Sequence, residues 1–396
     1  MFNTALKQSI LLSALALSLS SCLAIDLDTG FDRSPDMHQQ IIDQNEDRFA
    51  DIDPLALNDD IKQRVDNVIP ANARDERKVE LIQEFLYGDE YLHIQYSDER
   101  THTAQEAFYA REGNCLSVMN LYVAIARYVG VHANFQTVRV QPSWDRRGDV
   151  LVLSEHINAT GRFGVQKRYV VDFTPEIALQ QMTSRVISDQ EARALYFNNL
   201  GVEQMIAGNL EAAIVYYKNA LFLDPELSIA WNNVGATYRH QGNLEFAEYS
   251  YQMAFNTDPT NATAINNLAK FYNRQGDTQL AREYSRAIER FNNMNPYYHF
   301  AQGRVAYVSD DLQTARLAFR RALRLNSNEP DFYLALAQVY KDMGYQEQAH
   351  ELAVQAQNLV TLNAEIYQPS DQKLRIIDGS RIRNASSPGL TINLKP

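Results

Sequence analysis

At 396 residues the chain exceeds what one hydrophobic core ordinarily serves, so two or three domains are expected. A formal net charge of −12 argues against nucleic acid as a partner. Hydrophobic residues at 45% and charged residues at 22% suit a chain that folds and buries a sizeable core, with disorder confined to the ends.

Residues 1–7 carry a single positive charge, and residues 10–19 form a short run of Leu, Ala and Ser. That run is too short for a bilayer anchor and fits a cleaved secretion signal. Ser20-Ser21-Cys22 then resembles the end of a bacterial lipoprotein signal. The resemblance implies a signal over 1–21, acylation of Cys22 and a stable lipid anchor, since each buried methylene adds about 0.8 kcal/mol. With Leu23 rather than aspartate after the cysteine, it further implies the outer membrane, facing the periplasm. Residues 22–75 are rich in Asp and Gln, and are expected to form an acidic tether and a first helix near 61–68, with no chemistry there.

Next, Val79, Leu81, Ile82, Phe85 and Leu86 recur at helical spacing over residues 77–87, and Gly88 stops the run. Thr103-Ala104-Gln105-Glu106 has the form of a capping box opening a short helix to Ala110. Residues 115–129 are apolar nearly all round and end at Gly130, as a helix in the centre of a domain would. Strand character follows over 134–140, 150–158 and 168–174, the last ended by Pro175. The expected fold is α+β, a central helix packed on an antiparallel sheet.

With Cys22 assigned to lipidation, Cys115 is the one remaining cysteine, which excludes a structural disulfide within the chain. Its sulfur is either buried filler or a nucleophile. Arg111-Glu112-Gly113-Asn114-Cys115 opens a helix, where unpaired amides and the macrodipole favour a thiolate. Two strands downstream carry His156 and Asp172, which completes the parts of a cysteine-histidine-aspartate triad. Asp172 stands between Val171 and Phe173, an apolar setting in which a carboxylate needs a charged or donating partner. The Cys115 amide is the natural first donor to an oxyanion; Asn114 and Gln105 are candidates for the second only by proximity in sequence. No histidine pair stands at ligand spacing and no glycine-rich phosphate loop occurs, so neither metal nor other cofactor is expected.

Together, Thr103-Ala104, the Gly113-Asn114-Cys115 turn, Arg127-Tyr128-Val129-Gly130-Val131, Glu155-His156-Ile157 and Val170-Val171-Asp172-Phe173 resemble the transglutaminase-like superfamily, which has a papain-like core. The resemblance covers about 77–186, within an expected domain at 76–187. It implies Cys115 as nucleophile, His156 as base and Asp172 as the residue that orients the imidazole. It also implies attack on a peptide or carboxamide carbonyl through a thioester, with water as acceptor in a protease or amidase and a lysine amine in a crosslinker.

From Ser188 to about 363 a 34-residue period runs without insertion or deletion, with copies starting near 194, 228, 262, 296 and 330. The eighth position is Gly201, Gly235, Ala269, Gly303 and Ala337; the twentieth is alanine at 213, 247, 281, 315 and 349. These columns, with Trp231 and Pro259, resemble tetratricopeptide repeats, implying an all-α solenoid over 188–363 that recruits a protein partner. Asn198, Asn232 and Asn266, with Arg239, Lys270 and Arg304, form a candidate grip for an extended peptide; duplication of a polar surface accounts for the same column. The tail over 364–396 is either loose or lays a strand such as 374–377 on a neighbour. Two functions fit the whole: a membrane-anchored cysteine enzyme with recruiting repeats, or a catalytically silent lipoprotein scaffold that assembles envelope proteins.

Overall fold

Polar side chains at the helix starts and apolar periodicity behind them account for the elements of the computed structural model, which describes residues 31–97, 99–147, 150–163, 167–172, 184–294, 296–327, 329–366 and 374–378. The expected signal and Cys22 lie outside the described residues. Helices α1 (Pro35–Ile42), α2 (Asp59–Val68) and α3 (Asp75–Tyr87) lead into strand β1 (Gln95–Tyr96), helix α4 (Ala104–Ala110) and strand β2 (Glu112–Gly113). The capping box of α4 forms as expected: the Glu106 amide donates to Thr103 Oγ1 at 3.3 Å, and the Thr103 amide donates to Glu106 Oε2 at 2.8 Å.

Helix α5 (Cys115–Tyr128) buries every residue from Leu116 to Ala126, as its all-round apolar sequence requires. It packs on a sheet of strands β3 (Asn134–Arg147), β4 (Val150–Phe163), β5 (Lys167–Val171), β6 (Ser184–Val186) and β7 (Leu374–Asp378), in the order β6-β3-β4-β5-β7, antiparallel throughout. The β3–β4 hairpin is longer than the sequence pattern suggests. Pro142 falls where the register shifts between Val138 and Ser143, and a proline at a bulge need not end a strand. The tail alternative resolves to a strand: β7 pairs with β5, Val171 opposite Leu374.

Five helix pairs follow: α6 (Asp189–Ile206) with α7 (Leu210–Leu223), α8 (Ser228–His240) with α9 (Leu244–Thr257), α10 (Ala262–Gln275) with α11 (Thr278–Met294), α12 (Pro296–Val308) with α13 (Leu312–Leu325), and α14 (Pro330–Asp342) with α15 (Gln346–Ile366). Each pair crosses at the eighth position of the period. A Cβ on Gly201 would stand 2.4 Å from the buried Tyr217 ring; one on Gly235 would stand 2.7 Å from Tyr251, and one on Gly303 2.5 Å from Phe319. The aromatic residue lies sixteen positions later each time. Where the eighth position is Ala269 or Ala337, the residue sixteen later is small, Ser285 or Ala353. The two positions conserve volume as a pair, glycine with a ring or alanine with a small side chain.

Within the stretch expected as an acidic tether, residues 38–52 are packed against the repeats. Arg193 of α6 donates to the carbonyls of Ile52, at 3.1 Å, and Phe49, and pairs with Asp47. Phe49 stacks on Phe197 and Tyr216, His38 lies against Trp231 at 5.1 Å, and Asn219 Oδ1 accepts from Gln44 and from the Arg48 amide. Composition concealed this because the anchors are a few aromatic and apolar residues, Phe49, Ile41 and Ile42, set among many acids.

Gly201→Ala is expected to cost about 1–3 kcal/mol in urea unfolding, because the Tyr217 ring has no space to retreat into. Ala269→Gly, facing Ser285, should cost only the backbone term of about 0.5–1 kcal/mol. Burial works to raise the Asp47 carboxyl, but its hydrogen bonds from Arg193, the Phe49 amide and Asn219 outweigh it and hold the group below its ordinary value. A carboxylate depressed in the folded state contributes stability above its unfolded value and loses it as pH falls through the folded one. Limited proteolysis within residues 33–58 should therefore be slow at neutral pH and accelerate below about pH 4.

Candidate active site

Cys115 occupies the first helical position of α5 and is partly exposed, whereas the helix behind it is buried. Asn114 is the N-cap, and its Oδ1 accepts from the Ser117 amide and the Ser117 hydroxyl, both at 2.9 Å. Its Nδ2 donates to Thr101 Oγ1 at 2.8 Å. Ser117 Oγ in turn accepts from the His102 amide at 2.7 Å, and Asn120 Nδ2 donates to the His102 carbonyl at 3.3 Å. The 101–102 segment is thus stapled to the first turn of the helix. The parallel pairing of β1 with β2 holds the approach from the other side, and the Ser97 amide donates to the Gly113 carbonyl at 3.1 Å. Gly113 must be glycine there: a Cβ would sit 2.6 Å from Ser117 Cβ.

The first turn of α5 contains no acidic residue of its own. Asn114 Nδ2 gives one of its two N–H groups to Thr101, and its Oδ1 is taken up by Ser117. Gln105 is a partly buried residue of α4.

Asp172 follows β5 directly and is completely buried. Asn158 of β4, also completely buried, donates Nδ2 to Asp172 Oδ2 at 3.1 Å; its own Oδ1 finds no donor among the described residues. Gln136 of β3 pairs in register with Asn158, and Ala159 with Val171, so Gln136, Asn158 and Asp172 form a buried polar row across three strands. His156 is paired with Val138 in β4. The His156 side chain lies outside the described residues.

Tyr87, a residue that sequence reasoning missed, lies within electrostatic reach of both Cys115 and Asp172. Tyr87, the last residue of α3, has a buried hydroxyl whose ionisation is pushed upward by burial first, and then by the negative charges of Asp172 and Cys115. Both groups therefore act on one phenol. The sequence signal was faint: Tyr87 stands four residues after Gln83, a second buried polar residue on an otherwise apolar helix face.

Two members of the asparagine column, Asn198 and Asn232, are internal, whereas Asn266 is partly exposed. Asn198 and Asn232 are buried, and accept from Asn233 and Asn267 of the following copies, each at 2.9 Å. These amides tie one copy to the next, so a peptide grip built on Asn198 and Asn232 is not what the fold provides.

Residues 62–185 match the Transglutaminase-like superfamily, and residues 199–262 match the Tetratricopeptide repeat family. The chain therefore carries a transglutaminase-like core domain followed by tetratricopeptide repeats, and repeats of this kind imply protein–protein interaction. No curated protein matches this chain. Among solved structures, it is similar to YrrB, described as "a TPR protein with an unusual peptide-binding site", at 20% identity over 43% of this chain and 90% of that one, with a TM-score of 0.24. PilF of Pseudomonas aeruginosa is similar at 21% identity over 45% of this chain and 86% of that one, TM-score 0.26. MamA of Desulfovibrio magneticus is similar at 15% identity over 43% and 96%, TM-score 0.24.

Replacing Asn158 by leucine would leave Asp172 without that donor. Chemical denaturation should show a loss of about 1–3 kcal/mol, and Asn158→Asp, which sets a second carboxylate against the first, should lose more.

Proposed function

We propose that the transglutaminase-like domain is a cysteine acyl-transfer catalyst with Cys115 as nucleophile, His156 as base and Asp172 as the group that orients the imidazole. The observation that supports this reading is a partly exposed thiol at the first position of a buried helix, in the same domain as a fully buried aspartate that ends β5 and is held by Asn158.

In this mechanism the Cys115 thiolate attacks the carbonyl carbon of a peptide bond or side-chain carboxamide. The carbonyl oxygen becomes an oxyanion, and the Cys115 backbone amide donates to it. Collapse forms a thioester and expels the amine, which takes its proton from the His156 imidazolium; Asp172 keeps the ring in one tautomer and stabilises its charge. Neutral His156 then removes a proton from the acceptor, which attacks the thioester and releases the Cys115 thiolate. Water yields an acid, and a lysine amine yields an amide crosslink.

The repeats deliver a protein partner to this centre. In the same proposal the chain is exported and held at the outer membrane by acylated Cys22, facing the periplasm; loss of fatty-acid labelling in Cys22→Ser checks that part.

Native protein treated with iodoacetamide at neutral pH should alkylate at Cys115, and His156→Ala should slow the reaction. Cys115→Ala should abolish both dansyl-amine incorporation into a glutamine-rich acceptor and cleavage of a casein-type substrate, and whichever activity the unaltered chain displays assigns the acceptor. A Cys115 that labels only after unfolding would leave a lipoprotein scaffold in place of an enzyme.

A further inference from the structure

One contact between the two parts of the chain ends at the first turn of α5. Glu203 lies near the end of α6, the first helix of the repeats, and its Oε1 accepts from the Thr101 amide at 2.6 Å. Thr101 is buried, and its hydroxyl accepts from Asn114 Nδ2 at 2.8 Å. Asn114 caps α5 through Ser117, and Ser117 Oγ returns to the His102 amide at 2.7 Å. Two consecutive hydrogen bonds therefore join a carboxylate of the repeats to the residue that precedes the thiol, and two more, from Ser117 to Asn114 and from His102 to Ser117, close a ring around that turn.

We infer that Glu203 is a positioning residue for Cys115, so that the repeats hold the nucleophile in its reactive placement as well as bringing a partner to it. The inference rests on the reading of Cys115 as nucleophile. A buried amide at Thr101 needs an acceptor, and the transglutaminase-like segment supplies none of its own among the described residues. Without Glu203 the 101–102 segment keeps its bonds to Asn114, Ser117 and Asn120, but the buried Thr101 amide loses its acceptor. Thr101 is then held less firmly, and through its hydroxyl so is the Asn114 side chain that caps the turn at Cys115.

The electrostatics of Glu203 support an acceptor role over a charge role. Burial raises its carboxyl above the ordinary value, against the lowering influence of Thr101, Arg100 and His102. Ionised Glu203 is thus held at a cost, and a neutral acceptor of the same shape serves the Thr101 amide without it.

The test is the pH profile of iodoacetamide alkylation at Cys115 in the full chain, with circular dichroism confirming that each variant is folded. Glu203→Ala should move the half-maximal pH upward by about half a unit and slow alkylation about threefold at neutral pH. Glu203→Gln, which keeps the acceptor and removes the charge, should match the unaltered chain. Glu203→Asp, which keeps the charge and withdraws the acceptor, should follow Glu203→Ala, and it decides the matter should the alanine variant fail to fold. An unshifted profile in Glu203→Asp overturns the inference, as does a glutamine variant as impaired as the aspartate one. If Cys115 of the unaltered chain is inert, the nucleophile reading itself fails and takes the inference with it; a reactive Cys115 with an unshifted profile overturns only the part assigned to Glu203.

Discussion

The first turn of the helix that starts at Cys115 is the constraint around which the amino-terminal half is organised. A helix buried on all sides still presents free N–H groups at its start, and these must be satisfied without placing negative charge next to the sulfur. An aspartate N-cap would satisfy them equally well, and would also repel a thiolate. Asn114 satisfies them as a neutral group, and its second polar atom recruits Thr101. Gly113 permits the close approach of β2, and Ser117 links the turn to the preceding segment. The chain thus reserves the positive end of the helix for one anion, the sulfur, or the oxyanion of its adduct.

The repeats meet a related problem at their beginning. A stacked solenoid has an open first unit whose apolar flank has no preceding copy to cover it. Here the chain covers part of that flank with its own residues. Phe49 packs against both Phe197 and Tyr216, α1 packs on α7 and α9, and Arg193 gathers two carbonyls and the Asp47 carboxylate into one set of contacts. An acidic, polar composition does not exclude such packing, because a few well-placed aromatic and aliphatic side chains suffice when the surface that receives them is already folded.

Features encoded over short stretches were legible from the sequence. The Thr103–Glu106 capping box, the helix start at Cys115 and the 34-residue period each depend on residues within one turn or one copy, and the later helix pairs begin at Ser228, Ala262, Pro296 and Pro330, where the period places them. Partnerships made by tertiary packing were not legible. Nothing near Tyr87 in sequence announces that Cys115 and Asp172 act on it, and Asn158 reads as one more polar residue in an alternating strand until β5 sets Asp172 opposite. The asparagine column misled for the same reason: position in the repeat was readable, but whether the amide met solvent or the next copy depended on how closely adjacent copies stack.

Register links the sheet to the site. In antiparallel pairing, slipping β5 by one residue against β4 would turn Asp172 to the opposite face and separate it from Asn158, so the placement of one carboxylate depends on the whole β4–β5 ladder. An edge strand holds its register less firmly than one paired on both sides, and β5 would be an edge without β7. The chain brings β7 from beyond the last repeat helix to pair along all five residues of β5, ending with Leu374 opposite Val171, the residue before Asp172. The repeats and the segment beyond them thus each bear on one candidate group: Glu203, in the first repeat helix, on the turn before Cys115, and β7, beyond the last, on the strand that delivers Asp172.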